Sequence, residues 1–240
     1  MPLLETAGLT RSFGSFVAVD GVDFSLAEGE IRAVIGPNGA GKTVFLHLLS
    51  GLLLPSRGRI ALDGADVSRL GIVERVRRGV TRSFQITSLF PNLTVADNVR
   101  LAAGIKPLPA GRVDELLDLV GLGAQAALYP PQLAHGDQRH LEIALALAPS
   151  PRLLLLDEPT AGMSLGETGR TTALIQRINR DEGVTIVIVE HDMRLILELA
   201  HRITVLDRGR VLAEGSPQLV AADTQVRAAY LGRGRHAARL

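Results

Sequence analysis

Residues 36–43 read GPNGAGKT and follow directly on the apolar run Ile31–Ile35. Three glycines, a lysine and a threonine stand where a strand ends and a helix begins. The pattern G-x-x-x-x-G-K-[ST] is met in full, with Gly36, the spacer Pro37, Asn38, Gly39 and Ala40, then Gly41, Lys42 and Thr43. Glycines let the backbone curl so that successive N–H groups converge on one anion. The start of the following helix favours negative charge in the same place. Lys42 has the reach for β- and γ-phosphates, and the Thr43 hydroxyl is a ligand for Mg²⁺. "EIRAVI" reads as a buried strand and "TVFLHLLSGL" as an apolar helix, the context such a cradle needs. All eight residues are therefore expected to hold a nucleoside triphosphate.

Outward from this loop the chain divides by pattern. Before it, "LLETAGLTRSFGSFVAVDGVDFSLAEGE" has short β-type runs broken by Gly and Asp turns, the mark of an antiparallel sheet. After it, "GRIALDGADVS" is a strand ending in an Asp-Gly turn, and "GVTRSFQ" a strand leading into a loop. From 94 to 150 the pattern turns helical. "TVADNVRLAAG" opens on a Thr94/Asp97 capping box, "GRVDELLDLVGLG" ends on glycine, and "HGDQRHLEIALALA" is a third helix. Then "RLLLLD" and "VTIVIVEH", two bare apolar strands, alternate with helices and predict a parallel sheet covered on both faces. "RITVLDRGRVLAEG" reads as a hairpin about 207–210. Ser216 and Pro217 open short terminal helices, and "RGRHAARL" reads as a frayed basic tail. The fold expected is α/β, a nucleotide-binding core (1–93 and 151–215) with an N-terminal antiparallel part, an inserted helical subdomain (94–150), and C-terminal helices and tail (216–240).

Bulk properties narrow the function. A formal charge of +1 over 240 residues gives no general pull toward nucleic acid, and no cysteine is present for disulfides, thiol catalysis or thiolate metal sites. The first residues lack the basic and apolar blocks of a signal peptide, and no apolar run is long enough to span a bilayer. A membrane role is thus expected to come through a partner.

A second motif sharpens the reading. "LLLLDEP" ends an apolar strand on Asp157, a carboxylate placed for Mg²⁺, and Glu158 follows as a group able to polarise an attacking water. Here the chain resembles, over nearly its whole length, the nucleotide-binding subunits of ABC transporters. Walker A is 36–43 and Walker B is 153–157. The resemblance puts the family's Q-loop glutamine on Gln85 in "RSFQ", its switch histidine on His191 in "VIVEHD", and its signature on 133–148. Phe13 matches the aromatic that stacks on adenine, the alternative being a core aromatic.

What the resemblance implies is ATP hydrolysis between two such subunits, closed head to tail. Glu158 is the expected base, His191 a partner of the γ-phosphate and Glu158, and Gln85 a sensor of metal and water. Ala134, His135, Gly136 and Asp137 would meet the nucleotide of the opposite subunit. Thr43, Gln85 and Asp157 would serve Mg²⁺. Two departures stand out: Ala134 replaces the family's usual signature serine, and Ala161–Ser164 reads "AGMS". "HGDQR…LEIALALA", "DEPTAGMS" and "RSFQ…LFPNLTVADNV" together resemble the ATPases of branched-chain amino acid importers, and the ending "GSP…VRAAYLG" resembles those subunits, their urea-import relatives and the lipopolysaccharide-export ATPase. The expected setting is the cytoplasmic face of the inner (plasma) membrane. A second ATPase, permease subunits and an external substrate-binding protein are the expected partners. A soluble ABC ATPase of translation or DNA repair and a P-loop kinase are the competing readings. The first generally carries tandem cassettes, coiled coils or a large basic surface, and the second needs a lid and acceptor site.

Overall fold

The computed structural model describes residues 1–83, 89–104 and 108–231. Gln85 and the terminal basic tail lie outside them. The chain starts with the antiparallel hairpin β1 (Leu4–Phe13) and β2 (Phe16–Leu26), then β3 (Ile31–Ile35) and α1 (Lys42–Ser50). Next come β4 (Arg57–Leu62), β5 (Ala65–Asp66), α2 (Ile72–Arg77) and β6 (Val80–Arg82). The helical stretch holds α3 (Val95–Ala102), α4 (Arg112–Leu119) and α5 (His135–Leu147). The core resumes with β7 (Leu153–Asp157), α6 (Leu165–Asp181), β8 (Thr185–Val189) and α7 (Met193–Leu199). It closes with the hairpin β9 (Arg202–Asp207) and β10 (Arg210–Gly215), then α8 (Pro217–Ala222) and α9 (Thr224–Leu231).

Two sheets result, one ordered β2-β1-β4-β5 and antiparallel, the other β10-β9-β3-β8-β7-β6. In the second, β9, β3, β8, β7 and β6 run parallel and β10 folds back as an antiparallel edge. Strands β3, β7 and β8 are buried at every residue, which is why their sequences show no polar alternation. Alternate side chains still part to opposite faces. Ala33, Ile35, Leu154, Leu156, Ile186 and Ile188 join the helices α3 to α7 in one apolar cluster. Val34, Leu153, Leu155, Val187 and Val189 join α1 and the antiparallel sheet in another. The inserted helices therefore share a continuous core with the sheet: Leu141, Ala144 and Leu147 of α5 pack in the first cluster.

The helix caps refine the sequence reading. Thr94 caps α3 through the N–H of Asp97, but the Asp97 carboxylate returns to the Thr94 hydroxyl at 2.6 Å and not to its backbone. The reciprocal capping box forms instead at α6, where Glu167 accepts from the Ser164 N–H at 2.9 Å. Helix α2, absent from the sequence reading, has one fully buried side chain, Arg75. Its guanidinium donates to the carbonyls of Leu48 and Leu49 at 2.6 Å each, and to Val67 at 2.9 Å. These carbonyls end α1, at the negative pole of its dipole; the Leu48 carbonyl also accepts from the Gly51 cap N–H at 3.3 Å. Burial brings the Arg75 pKa down to about 10, so the side chain stays charged at neutral pH.

Candidate active site

The loop between β3 and α1 needs its glycines. Gly36, Gly39 and Gly41 have φ of 152°, 79° and 100°, where L side chains are strained. A Cβ on Gly36 would overlap the carbonyl oxygen of Leu206, and one on Gly41 that of Ala18. The loop is thus pressed between β9 and β2. The Ala40 carbonyl accepts from the Gly209 N–H at 2.9 Å, which ties it to the β9–β10 turn. Buried Lys42 lays its ammonium across the loop, donating to the carbonyls of Gly36 at 2.7 Å and Pro37 at 3.2 Å. Burial holds its pKa below the usual lysine range, while the nearby Glu158 and Asp157 oppose that shift. Lys42 and Thr43 open α1, so their N–H groups have no partner within the helix. One cation beside the free N–H groups that open α1 suits an anion of phosphate type.

Asp157 ends β7 with its side chain fully buried. Its Oδ2 accepts from Arg82 Nη2 at 2.7 Å, while its Oδ1 is buried without a hydrogen-bond partner among the described residues. Burial pushes the carboxyl above its usual range, Glu158 adds to this, and Arg82 and Lys42 work against it. An orphaned carboxylate oxygen in such a place fits a cation or its water ligand. Among the described residues no group of three or more His, Asp or Glu side chains gathers to hold a metal. A single carboxylate would suit Mg²⁺ shared with substrate phosphates, with the Thr43 hydroxyl as a further candidate donor.

Glu158 follows in a left-handed conformation, with φ 49°, rare for a non-glycine residue and a strain that active sites hold in place. Its N–H donates to the Val189 carbonyl at 2.9 Å, fastening the turn to the end of β8. His191 Nε2 meets Glu158 Oε1 at 2.9 Å. An ionised carboxylate only accepts, so the imidazole donates. Glu190, passed over in the sequence, locks this pair. Its buried carboxylate accepts from the Thr160 N–H at 3.0 Å and hydroxyl at 2.6 Å, and from the His191 N–H at 3.0 Å. The only local signal was a Glu beside the singled-out histidine at a strand end.

Of the remaining candidates, Phe13 is 44% exposed and so no core residue. It pairs with Phe16 across the hairpin, two residues from Ala18 at the phosphate loop, and the Arg11 guanidinium lies 4.7 Å from its ring centre. Ala134 is the N-cap of α5, and His135, Gly136 and Asp137 form its first turn. A Cβ on Gly136 would crowd the Glu167 carboxylate at 2.8 Å. Among the described residues, no hydrogen bond or ion pair joins 134–137 to the phosphate loop.

Comparison with known proteins gives the family. The family profile described as "ABC transporter" matches residues 19–161. The chain belongs to the ABC transporter ATP-binding family. This ABC ATPase also matches a "Branched-chain amino acid ATP-binding cassette transporter" profile over residues 210–236. It is 38% identical over 250 residues to the high-affinity branched-chain amino acid transport ATP-binding protein BraF of Pseudomonas aeruginosa, covering 96% of this chain and 98% of that one. Its fold matches the ADP conformation of MJ1267, an ATP-binding cassette of an ABC transporter, with TM-score 0.89 at 26% identity, covering 97% of this ABC ATPase and 100% of that chain. It also matches a dimeric, post-hydrolysis cassette, MJ0796 bound to ADP and Pi, with TM-score 0.77 at 28% identity over 89% and 98% of the two chains. Among the described residues no helix is long and apolar enough to cross a membrane.

Proposed function

We propose that this ABC ATPase drives an importer of branched-chain or related amino acids from the cytoplasmic face of the inner membrane. The observation that carries the reading is the junction of Lys42, Asp157, Glu158 and His191 in a chain similar to BraF from end to end. In the proposed cycle the phosphate loop and Lys42 hold the β- and γ-phosphates of ATP. Thr43 and Asp157 would hold Mg²⁺, which when bound neutralises charge on those phosphates. Glu158 orients water and takes its proton, and His191 fixes the carboxylate it is bonded to. The backbone N–H groups at 135–137 would complete the site of a second copy, and Phe13 would stack on adenine. Gln85 would sense the metal and the attacking water.

Coupling to the permease is proposed at a cleft of about 470 Å³ between the β6 edge and helices α2, α3 and α5. Phe90 stands on its wall and is 53% exposed. Buried Asn98 holds that loop: its Oδ1 accepts from the Phe90 N–H at 2.8 Å, and its amide donates to the carbonyls of Phe90, Leu93 and Thr94. An apolar cleft under a pinned aromatic suits a short segment of a membrane subunit. Leucine uptake by cells lacking this gene, complemented by wild type or Glu158→Gln, tests the function. Uptake is expected only with wild type, and restoration by the variant or unchanged uptake on deletion would refute it.

A further inference from the structure

Arg82 touches the Asp157 carboxylate and also lines the cleft. Its Nη2 binds Asp157 Oδ2 at 2.7 Å, and its side chain is 6% exposed. It also lines the cleft, together with Phe90, Leu101, Glu142 and Leu145. Its Nε is buried and has no hydrogen-bond partner among the described residues. Burial disfavours the charge on Arg82, and Asp157 offsets that. The pair is therefore held by mutual need.

We propose that Arg82 is a positioning residue for the Mg²⁺ site, and that it carries the state of the cleft to Asp157. By occupying Oδ2 it fixes the carboxylate rotamer and leaves Oδ1 as the oxygen available to the metal. Partners that orient a ligating carboxylate are expensive to lose, with about 10–100-fold in metal affinity as the usual range. A segment entering the cleft packs against a wall that Arg82 lines, and a bulky group there would displace the Arg82 side chain and with it the carboxylate it holds. The proposal rests on the reading of Asp157 as the metal carboxylate, and its test separates the two.

Mn²⁺ is the probe, titrated by electron paramagnetic resonance into the ATP-bound Glu158→Gln protein. Asp157→Asn tests the underlying reading: an unchanged Mn²⁺ affinity there removes Asp157 from the metal site. With that control lost as expected, Arg82→Met should weaken Mn²⁺ by roughly tenfold or more, while ATP affinity in EDTA stays unchanged. Arg82→Lys, which keeps charge without the planar fork, should fall between. Unchanged or tighter Mn²⁺ binding in a folded Arg82→Met protein overturns the positioning role, and Arg82→Lys decides if the methionine variant does not fold. The absence of native cysteine allows a test of the link. Leu101→Cys, on the cleft wall and 50% exposed, is labelled with a bulky maleimide. Labelling should shift Mn²⁺ affinity several-fold with Arg82 present and leave it unmoved in the Arg82→Met background. An equal shift in both backgrounds, or none in either, refutes the link.

Discussion

Ala134→Ser is the perturbation that distinguishes what the signature helix does within one subunit from what it does across a dimer. Ala134 caps α5 at φ −62°, ψ 156° without a side-chain bond. Three other caps in this chain share that backbone geometry: Thr94 at −63°, 163°, Ser164 at −68°, 163°, and Ser216 at −63°, 156°. Each accepts from the N–H three residues on, so a serine at 134 would accept from the Asp137 N–H with no backbone change. A cap of this kind contributes about 1 kcal/mol, within a range of about 0.5–2. For a chain of this size, 1 kcal/mol moves the melting temperature by about 2–4 °C. The hydroxyl hydrogen remains free, and across the proposed dimer it would donate to a γ-phosphate. A hydrogen bond to a charged group contributes about 1.5–3 kcal/mol, or roughly 10–150-fold in dimer affinity for each of the two interfacial sites. The cap is present in monomer and dimer alike and cancels from dimerisation, so the two effects separate cleanly. The assays are thermal melting of the nucleotide-free protein, and light scattering against concentration with ATP in the Glu158→Gln background. A rise in melting temperature with an unchanged dimer constant would show that the signature works through its backbone alone. No rise in melting temperature would refute the capping argument itself.

Glu158→Gln should lower ATP turnover by about 10²–10⁴ while ATP still binds, and wild-type turnover would remove Glu158 from the role of base. Lys42→Ala should weaken ATP binding in calorimetry by about 1.5–3 kcal/mol, the contribution of a charge-assisted bond, and unchanged affinity would refute the cradle. Asn98→Leu strands backbone groups that the amide now satisfies, each costing about 1–3 kcal/mol. The protein should melt several degrees lower, and an unchanged melting temperature would show that the Phe90 loop is held by other contacts. Burial raises the Glu142 carboxyl above its usual range, with Arg139 opposing, so between the unfolded and folded pKa values the native state binds the extra proton. Stability from this group therefore falls as pH rises through that window. Glu142→Gln should melt above wild type near neutral pH, the gap closing toward about pH 4, and a variant less stable throughout would reverse the sign.

What the sequence disclosed and what it withheld follow from how far each interaction reaches along the chain. The phosphate loop was legible because its demand is local: Gly36, Gly39 and Gly41 hold φ of 152°, 79° and 100°, which only glycine adopts without strain. The buried strands were legible because a sheet covered on both faces needs apolar residues without alternation. Thr94/Asp97 and Ser164/Glu167 have the same three-residue spacing, and the sequence reading assigns a capping box only to the first. One methylene divides them, since the glutamate reaches back to the cap backbone and the aspartate stops at the hydroxyl. Helix α2 was illegible because its anchor is an arginine, a residue that pattern reading assigns to solvent. Its partners, the Leu48 and Leu49 carbonyls, are backbone atoms with no sequence identity. The Arg82–Asp157 pair is the extreme case. Parallel pairing of β6 with β7 sets Arg82 opposite Leu155, two residues from a carboxylate 75 positions away in sequence. No spacing rule encodes that register. It is set by the apolar side chains of both strands seeking the two faces of the sheet, so a charge contact at the candidate metal site depends on hydrophobic residues that never touch it.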